Sequence, residues 1–191
     1  GNNSSGTTSI RYGVTRDHVL EVRALLSDGS EVVFEDIPDD KLREKTNLPG
    51  REGAIYKFLL ERLSDPNIQA RVKAEFPKPQ IHRRNTGYAL DALLNQRPFL
   101  PKGEPLNLCK LLAGSEGTLA LVTEIKLSVS PLPPPAQTLL CGHFDSVGES
   151  LKAVRAAMEM QPYACELMDK VILDCTRLSR AQAKNRFFLE G

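Results

Sequence analysis

The chain has 191 residues, 41% of them hydrophobic, and carries 25 Lys and Arg against 24 Asp and Glu, a formal net charge of +1. That is enough apolar material for one or two modest cores, which favours a globular over a disordered chain, and the balanced charge gives no electrostatic basis for binding nucleic acid or an anionic membrane surface. No apolar run approaches the ~20 residues of a spanning helix, so no transmembrane segment is expected, and the first residues do not read as a signal peptide.

In chain order, a small polar run, Asn2-Asn3-Ser4-Ser5-Gly6, leads to Arg11-Tyr12-Gly13. Residues 19–26 and 31–34 then read as a hairpin around Asp28-Gly29, because Asp-Gly supplies the positive φ angles of a tight turn. Ile55, Leu59, Leu60 and Leu63 recur near helical spacing over 53–63. Asp65-Pro66 next offers an N-cap and a first-turn proline for a second helix through Phe76. The stretch 36–83 is thus predicted to be a helical pair, a packing accessory or partner surface rather than a catalytic element. Pro77-Lys78-Pro79 closes it, and residues 88–94 read as a short helix with Leu90, Leu93 and Leu94 docked on the sheet. Pro98, Pro101, Gly103 and Pro105 mark 96–105 as a solvent-facing loop before 106–112 re-enters the core.

Gly114-Ser115-Glu116-Gly117-Thr118 is a glycine-flanked polar turn that feeds an alternating apolar strand. The glycines remove the Cβ atoms that would block close approach of a ligand to the backbone, and Ser115, Glu116 and Thr118 add hydrogen-bonding groups. Strict alternation puts Leu119, Leu121, Thr123, Ile125, Leu127 and Val129 on one face, so a buried strand is predicted to hold the turn. On the residues alone, a ligand-facing turn and a plain structural turn both remain open. The Pro131 to Pro135 run ends the strand and marks a domain boundary. Beyond it the pattern reads as a strand over 138–144, a helix over 146–160 with Leu151, Val154 and Met158 on one face, a strand over 164–168 and the start of a helix over 169–176.

Gly114-Ser115-Glu116-Gly117-Thr118-Leu119-Ala120-Leu121-Val122-Thr123-Glu124 resembles the signature of FAD-linked oxidases of the vanillyl-alcohol oxidase type, the PCMH-type flavin fold of glycolate oxidase, D-lactate dehydrogenase and D-2-hydroxyglutarate dehydrogenase. Two further stretches match that family in the same order. One is Gly1-Asn2-Asn3-Ser4-Ser5-Gly6 with the following Arg11-Tyr12-Gly13 and the Asp28-Gly29 turn; the other is Arg84-Asn85-Thr86-Gly87-Tyr88-Ala89-Leu90. There are departures: Ala89 stands where the family usually has Asp, Ala120 where it usually has Gly, and the insertion at 36–83 replaces a brief connection. With that insertion the chain is most similar to the large bacterial proteins that join such a flavin domain to an iron–sulfur region.

The resemblance implies an α+β fold. Residues 1–132 would be the C-terminal part of an FAD-binding domain, and 133–191 the beginning of a ferredoxin-like substrate domain, in an internal piece of a longer flavoprotein. It implies FAD contacts at Asn3, Ser4, Ser5 and Gly6 on the pyrophosphate and adenosine side, and at Glu116, Gly117, Thr118, Leu119, Ala120, Leu121 and Val122 along the flavin, mainly through backbone N–H and C=O groups. The activity implied is oxidation of a D-2-hydroxy acid (lactate, glycolate or 2-hydroxyglutarate) to the 2-oxo acid by hydride transfer to FAD. Electrons would pass to an acceptor or to an iron–sulfur region of the parent protein, and the piece alone would be inactive. The metal-binding His and Glu residues and the substrate-binding Arg and Lys residues of such relatives would lie beyond Gly191, so no catalytic residue is assigned within this chain.

Several residues keep two readings. Glu116 is an acceptor for ribityl or adenosine hydroxyls or a turn carboxylate, and Tyr88 lines the flavin pocket or packs in the core. His82-Arg83-Arg84 faces a phosphate or a substrate carboxylate or, in the plainer reading, water, while His18 and His143 read as partly buried structural residues. Cys109, Cys141, Cys165 and Cys175 show no Cys-x-x-Cys spacing, so no metal site is expected, and reduced thiols fit a cytoplasmic protein with membrane association only through its parent. A flavin-binding but non-catalytic module or subunit of an electron-transfer complex, and a plain α+β domain with structural turns, are the alternatives.

Overall fold

The computed structural model describes residues 2–81, 83–84, 87–177, 179–187 and 189, with the backbone alone at Ala183. His82, Asn85 and Thr86, named above, lie outside the described residues. In chain order the helices are α1 (Ser9–Tyr12), α2 (Thr15–His18), α3 (Asp39–Thr46), α4 (Gly50–Leu63), α5 (Pro66–Glu75), α6 (Leu90–Leu94), α7 (Cys109–Leu112), α8 (Val147–Glu159), α9 (Lys170–Arg177) and α10 (Arg180–Ala183). The strands are β1 (Val19–Leu25), β2 (Glu31–Phe34) and β3 (Leu121–Leu127). The chain divides into two compact units, one of Gly1–Gly6 with Gly13–Ser130 and one of Thr7–Tyr12 with Pro131–Gly191. No helix among the described residues is long and apolar enough to cross a membrane.

The first unit is α+β, built on an antiparallel three-stranded sheet in the order β2-β1-β3. The Asp28-Gly29 hairpin forms as its sequence dictates: Gly29 sits at φ +82°, and the Leu26 N–H closes the loop on the Ser30 carbonyl at 2.9 Å. Val19, Val22 and Ala24 of β1 and Val32 and Phe34 of β2 turn the same way into a core shared with Tyr56 and Leu63 of α4, Val72 of α5, Leu93 of α6 and Cys109 and Leu112 of α7. The Asp65 side chain accepts from the Asn67 N–H at 2.8 Å and caps α5, with Pro66 in the first turn. A glycine is required at 53, where an added Cβ would come 2.0 Å from the Leu48 carbonyl oxygen as α4 crosses the loop that precedes it.

The insertion differs from the expected pair by one further helix, α3, whose Asp-Asp-Lys-Leu-Arg-Glu-Lys-Thr sequence has too few apolar residues to show a helical period. The expected helix over 88–94 shortens to Leu90–Leu94. The 96–105 loop is not wholly solvent-facing. Gln96 is buried and its side-chain oxygen accepts from the Asn107 N–H at 3.2 Å, while the Arg97 N–H bonds the Glu104 carbonyl at 2.9 Å, folding the loop on itself.

The strand after the turn is where expectation and structure part. β3 is not buried: Leu121 is 66% exposed, Leu127 49% and Ile125 44%. It lies at the edge of the sheet, and its alternation is broken. Arg23 pairs with Glu124 but Ala24 pairs with Val122, so Thr123 is an extra residue whose hydroxyl donates to the Arg23 carbonyl at 3.1 Å. One inserted residue reverses the faces beyond it. Val122, Ile125 and Leu127 therefore pair with the core-facing Ala24, Val22 and Val19, whereas Leu121 shares the outer face with Glu124 and Lys126. A second irregularity leaves Leu20 unpaired between Val19 and Glu21, and its carbonyl accepts from the Asn107 amide at 3.1 Å.

In the second unit α8 forms with Ser146 as its cap, the hydroxyl accepting from the Glu149 N–H at 3.2 Å, and α9 follows. Arg11 and Tyr12 of α1 meet Tyr163 there, the guanidinium carbon 5.2 Å from its ring centre and the two tyrosine rings 5.9 Å apart. The strands expected over 138–144 and 164–168 do not form among the described residues. An extended segment becomes a strand by pairing its backbone with a neighbour, and here no neighbouring strand is present to pair, so Leu139 and Leu140 stay exposed. His143 is exposed as well, correcting its expected partial burial.

Burial also sets a pH response in the first unit. Cys109 is fully buried with its thiol donating to the Phe34 carbonyl at 3.1 Å, and desolvation pushes it from 9.0 up to about 12; burial pushes the neighbouring Tyr56 phenol upward too. Because the folded state favours the protonated thiol, its contribution to stability is complete below about pH 9 and is lost as the pH climbs towards 12. Urea denaturation across that window should show stability falling with pH, and Cys109→Ala should flatten the slope by roughly 1 kcal/mol per pH unit.

Candidate functional site

The site is assembled where three separated stretches meet at Gly114. Its φ is +90°, a conformation suited to glycine, and a Cβ there would lie 3.2 Å from the Asn3 Cβ, 3.1 Å from Arg16 Nη2 and 4.0 Å from the Gly87 carbonyl oxygen. The Asn3 stretch, the Gly87-Tyr88 stretch and the glycine turn are therefore neighbours in space.

The turn itself is closed by the Ser115 N–H on the Leu112 carbonyl and the Thr118 N–H on the Ser115 carbonyl, both at 3.0 Å. Ser115 is buried, and the Thr118 hydroxyl donates to the same Ser115 carbonyl at 2.6 Å. That hydroxyl has one hydrogen, so the Tyr88 hydroxyl, 2.7 Å from the Thr118 oxygen, is the donor of their bond. Tyr88 is 43% exposed, so it is a strut on the turn rather than a core aromatic. Glu116 at φ +52° and Gly117 at φ +82° complete a left-handed pair, and Glu116, Gly117, Thr118 and Leu119 are exposed. Among the described residues the N–H groups of Glu116 and Gly117 donate to no protein acceptor, and a Cβ on Gly117 would meet nothing within 4 Å.

Beyond the turn Ala120 is buried, Val122 is half-buried against the core, and Leu121 points to the outer face of β3. Beneath the sheet, Asn2, Val22, Ala113, Val122, Ile125 and Leu127 wall a mainly apolar cleft of about 60 Å³. Asn3 is buried, while Ser4 and Gly6 are exposed and Ser5 is half-buried. The Ser4 N–H and hydroxyl both donate to Asn2 Oδ1 at 2.6 Å, which shapes this run as a local turn. Asn3 is thus brought against the glycine turn through Gly114. Open space at Gly117 and Gly6, with unspent backbone donors at the turn, suits an acceptor-rich, flat ligand such as the flavin cofactor implied by the resemblance.

Arg16, which no sequence motif singles out, is 6% exposed and joins these stretches. Its N–H donates to Asn3 Oδ1 at 2.7 Å, Nε to the Lys110 carbonyl at 2.8 Å and Nη2 to the Ala113 carbonyl at 2.7 Å. Lys110 Nζ returns a bond to the Arg16 carbonyl at 3.0 Å. Burial lowers its pKa, the Arg84 guanidinium adding to the effect and Asp91 and Asp17 opposing it, yet an arginine stays cationic. Arg84 is ion-paired with Asp91 rather than displayed in a solvated loop, and Arg83 is exposed. His18 is half-buried with Nδ1 3.2 Å from the Ser128 hydroxyl, the structural role expected of it.

Glu116 occupies a left-handed conformation that a side chain makes costly. Glu116→Gly should raise the stability of the protein without ligand by about 0.5–1 kcal/mol, measured by urea denaturation. A loss of stability would show that the carboxylate supports the turn.

No family model matches the chain, and no solved structure matches it. Curated relatives do. The chain is 33% identical over 170 residues to a protein of Pseudomonas putida named D-2-hydroxyglutarate dehydrogenase, a match covering 89% of this chain and 16% of the relative. Proteins of the same name from Pantoea ananatis and Escherichia coli are each 30% identical over 174 residues, covering 91% of this chain and 16% of the relative. The chain spans about a sixth of the length of these relatives, and the matches extend over about nine-tenths of its own length.

Proposed function

We propose that the parent of this chain is an FAD-dependent dehydrogenase that oxidises a D-2-hydroxy acid, with D-2-hydroxyglutarate as its first candidate, to the 2-oxo acid, and that the chain contributes one wall of the flavin site. In this reading residues 1–132, with the helical insertion at 36–83, are the C-terminal part of a PCMH-type FAD-binding domain, and 133–191 open a ferredoxin-like substrate domain. The protein would work in the cytoplasm and hand electrons to a separate acceptor or to an iron–sulfur region of the same polypeptide.

The observation that carries the reading is the identity to proteins of that name across about nine-tenths of the chain, 33% in the Pseudomonas putida relative. The geometry is consistent with it, since Asn3 and the 114–118 turn, from stretches that resemble flavin contacts, pack together at Gly114. Bound FAD would accept the hydride from the carbon that bears the substrate hydroxyl. The work of this chain's residues would be binding and orientation. The exposed N–H groups of Glu116 and Gly117 would donate to acceptors on the cofactor, and the Glu116 carboxylate would accept from its ribityl or adenosine hydroxyls. The exposed Leu119 would present apolar contact, and the hydroxyls of Ser4 and Ser5 would serve the pyrophosphate and adenosine side. The substrate ligands and the base for the hydroxyl proton are assigned to other parts of the parent.

The test uses the complete gene product. It should bind FAD in fluorescence titration, and anaerobic addition of D-2-hydroxyglutarate should bleach the bound flavin absorbance while the L-enantiomer leaves it unchanged. A complete protein that holds no FAD overturns the flavoprotein reading. One that holds FAD but is bleached by none of D-2-hydroxyglutarate, D-lactate and glycolate overturns the activity.

A further inference from the structure

We infer that Arg16 is a positioning residue that fixes the Asn3 stretch and the glycine turn as a single surface for the cofactor, an inference that rests on the FAD reading above. The bonds of Arg16 reach both sides of the site. Its main-chain N–H holds the Asn3 side chain at 2.7 Å, and its Nη2 holds the carbonyl of Ala113, the residue before Gly114, also at 2.7 Å. Nε fastens the guanidinium to the Lys110 carbonyl at 2.8 Å, so the group is anchored at two points of its planar fork.

Gly114 makes the closure possible, because any Cβ there would press on both Arg16 Nη2, at 3.1 Å, and Asn3, at 3.2 Å. The arrangement is an expensive way to obtain stability alone. A buried guanidinium gives up hydration, and among the described residues no carboxylate lies within ion-pair distance of Arg16; apolar side chains fill such volumes with less cost. What a planar, doubly bonded cation gives in return is orientation of the carbonyls it grips, and hence of the turn that starts at the next residue. Lysine keeps the charge but carries its three N–H donors on one nitrogen at the end of a flexible stem, so it lacks the rigid Nε/Nη2 fork that grips the Lys110 and Ala113 carbonyls.

The experiment compares the complete wild-type protein with Arg16→Lys and with Val72→Ala. The latter is a core truncation in α5, outside the turn, that supplies a control for general loss of stability. FAD dissociation constants, thermal midpoints of the protein without FAD and the visible circular dichroism of the bound flavin are measured for each. The inference predicts that Arg16→Lys raises the FAD dissociation constant at least tenfold and changes the flavin dichroism, while Val72→Ala lowers the thermal midpoint and leaves both within twofold of wild type. It is overturned if Arg16→Lys binds FAD within twofold of wild type with an unchanged spectrum, or if Val72→Ala weakens FAD binding as much as Arg16→Lys. If Arg16→Lys does not fold, Arg16→Met, which buries no charge and removes both guanidinium bonds, is judged by the same criteria. A wild-type protein that binds no FAD is a separate result, since it removes the flavoprotein reading itself.

Discussion

The candidate site depends on one buried cation. Arg16 is almost wholly withdrawn from water, and its bonds to Asn3, Lys110 and Ala113 tie residues about a hundred positions apart in the chain. An uncompensated guanidinium in a core is unstable, so the Lys110 and Ala113 carbonyls are held where they are as much as they hold the arginine. The Lys110 ammonium closes the loop by bonding the Arg16 carbonyl. From this knot the turn emerges with Gly114 as its first left-handed residue, and the geometry of Glu116 and Gly117 follows from there.

The sheet serves the same end by different means. β1 lies between β2 and β3, and its two irregularities against β3 re-aim side chains instead of merely interrupting the ladder. The extra Thr123 puts Val122 on the same side as the core while Leu121 turns outward, so the residues following the turn divide between core and surface within two positions. The extra Leu20 places a carbonyl where Asn107 can bond it, and Asn107 in turn bonds Asp36 at 2.8 Å and the Cys109 N–H at 2.8 Å. This polar network anchors α7, the helix that delivers Ala113 to Arg16.

Local signals in the sequence transferred well to structure because their causes are local. Asp28-Gly29 sets its own backbone angles, and Asp65-Pro66 starts a helix by supplying an acceptor and a fixed φ, so both are legible without knowledge of the fold. The three motif stretches were legible through their wording, and their convergence at Gly114 is what that wording could not convey. Three features were hidden for identifiable reasons. A bulge such as that at Thr123 leaves no mark in an alternating apolar pattern, so β3 read as a buried strand with one continuous face. A helix made chiefly of charged residues, α3, shows no apolar period. A buried arginine reads like a surface one until its partners are known, and here those partners are main-chain carbonyls, which carry no residue signature.

If the Asn3 stretch and the glycine turn form one cofactor surface, hydrogen–deuterium exchange of the complete protein with and without FAD should register the cofactor at both. Added FAD should slow exchange in peptides covering residues 3–6 and 115–121 together, with little change in α4 and α5. Protection confined to other parts of the protein, with both stretches exchanging as before, would contradict the claim and leave the glycine turn as a structural feature.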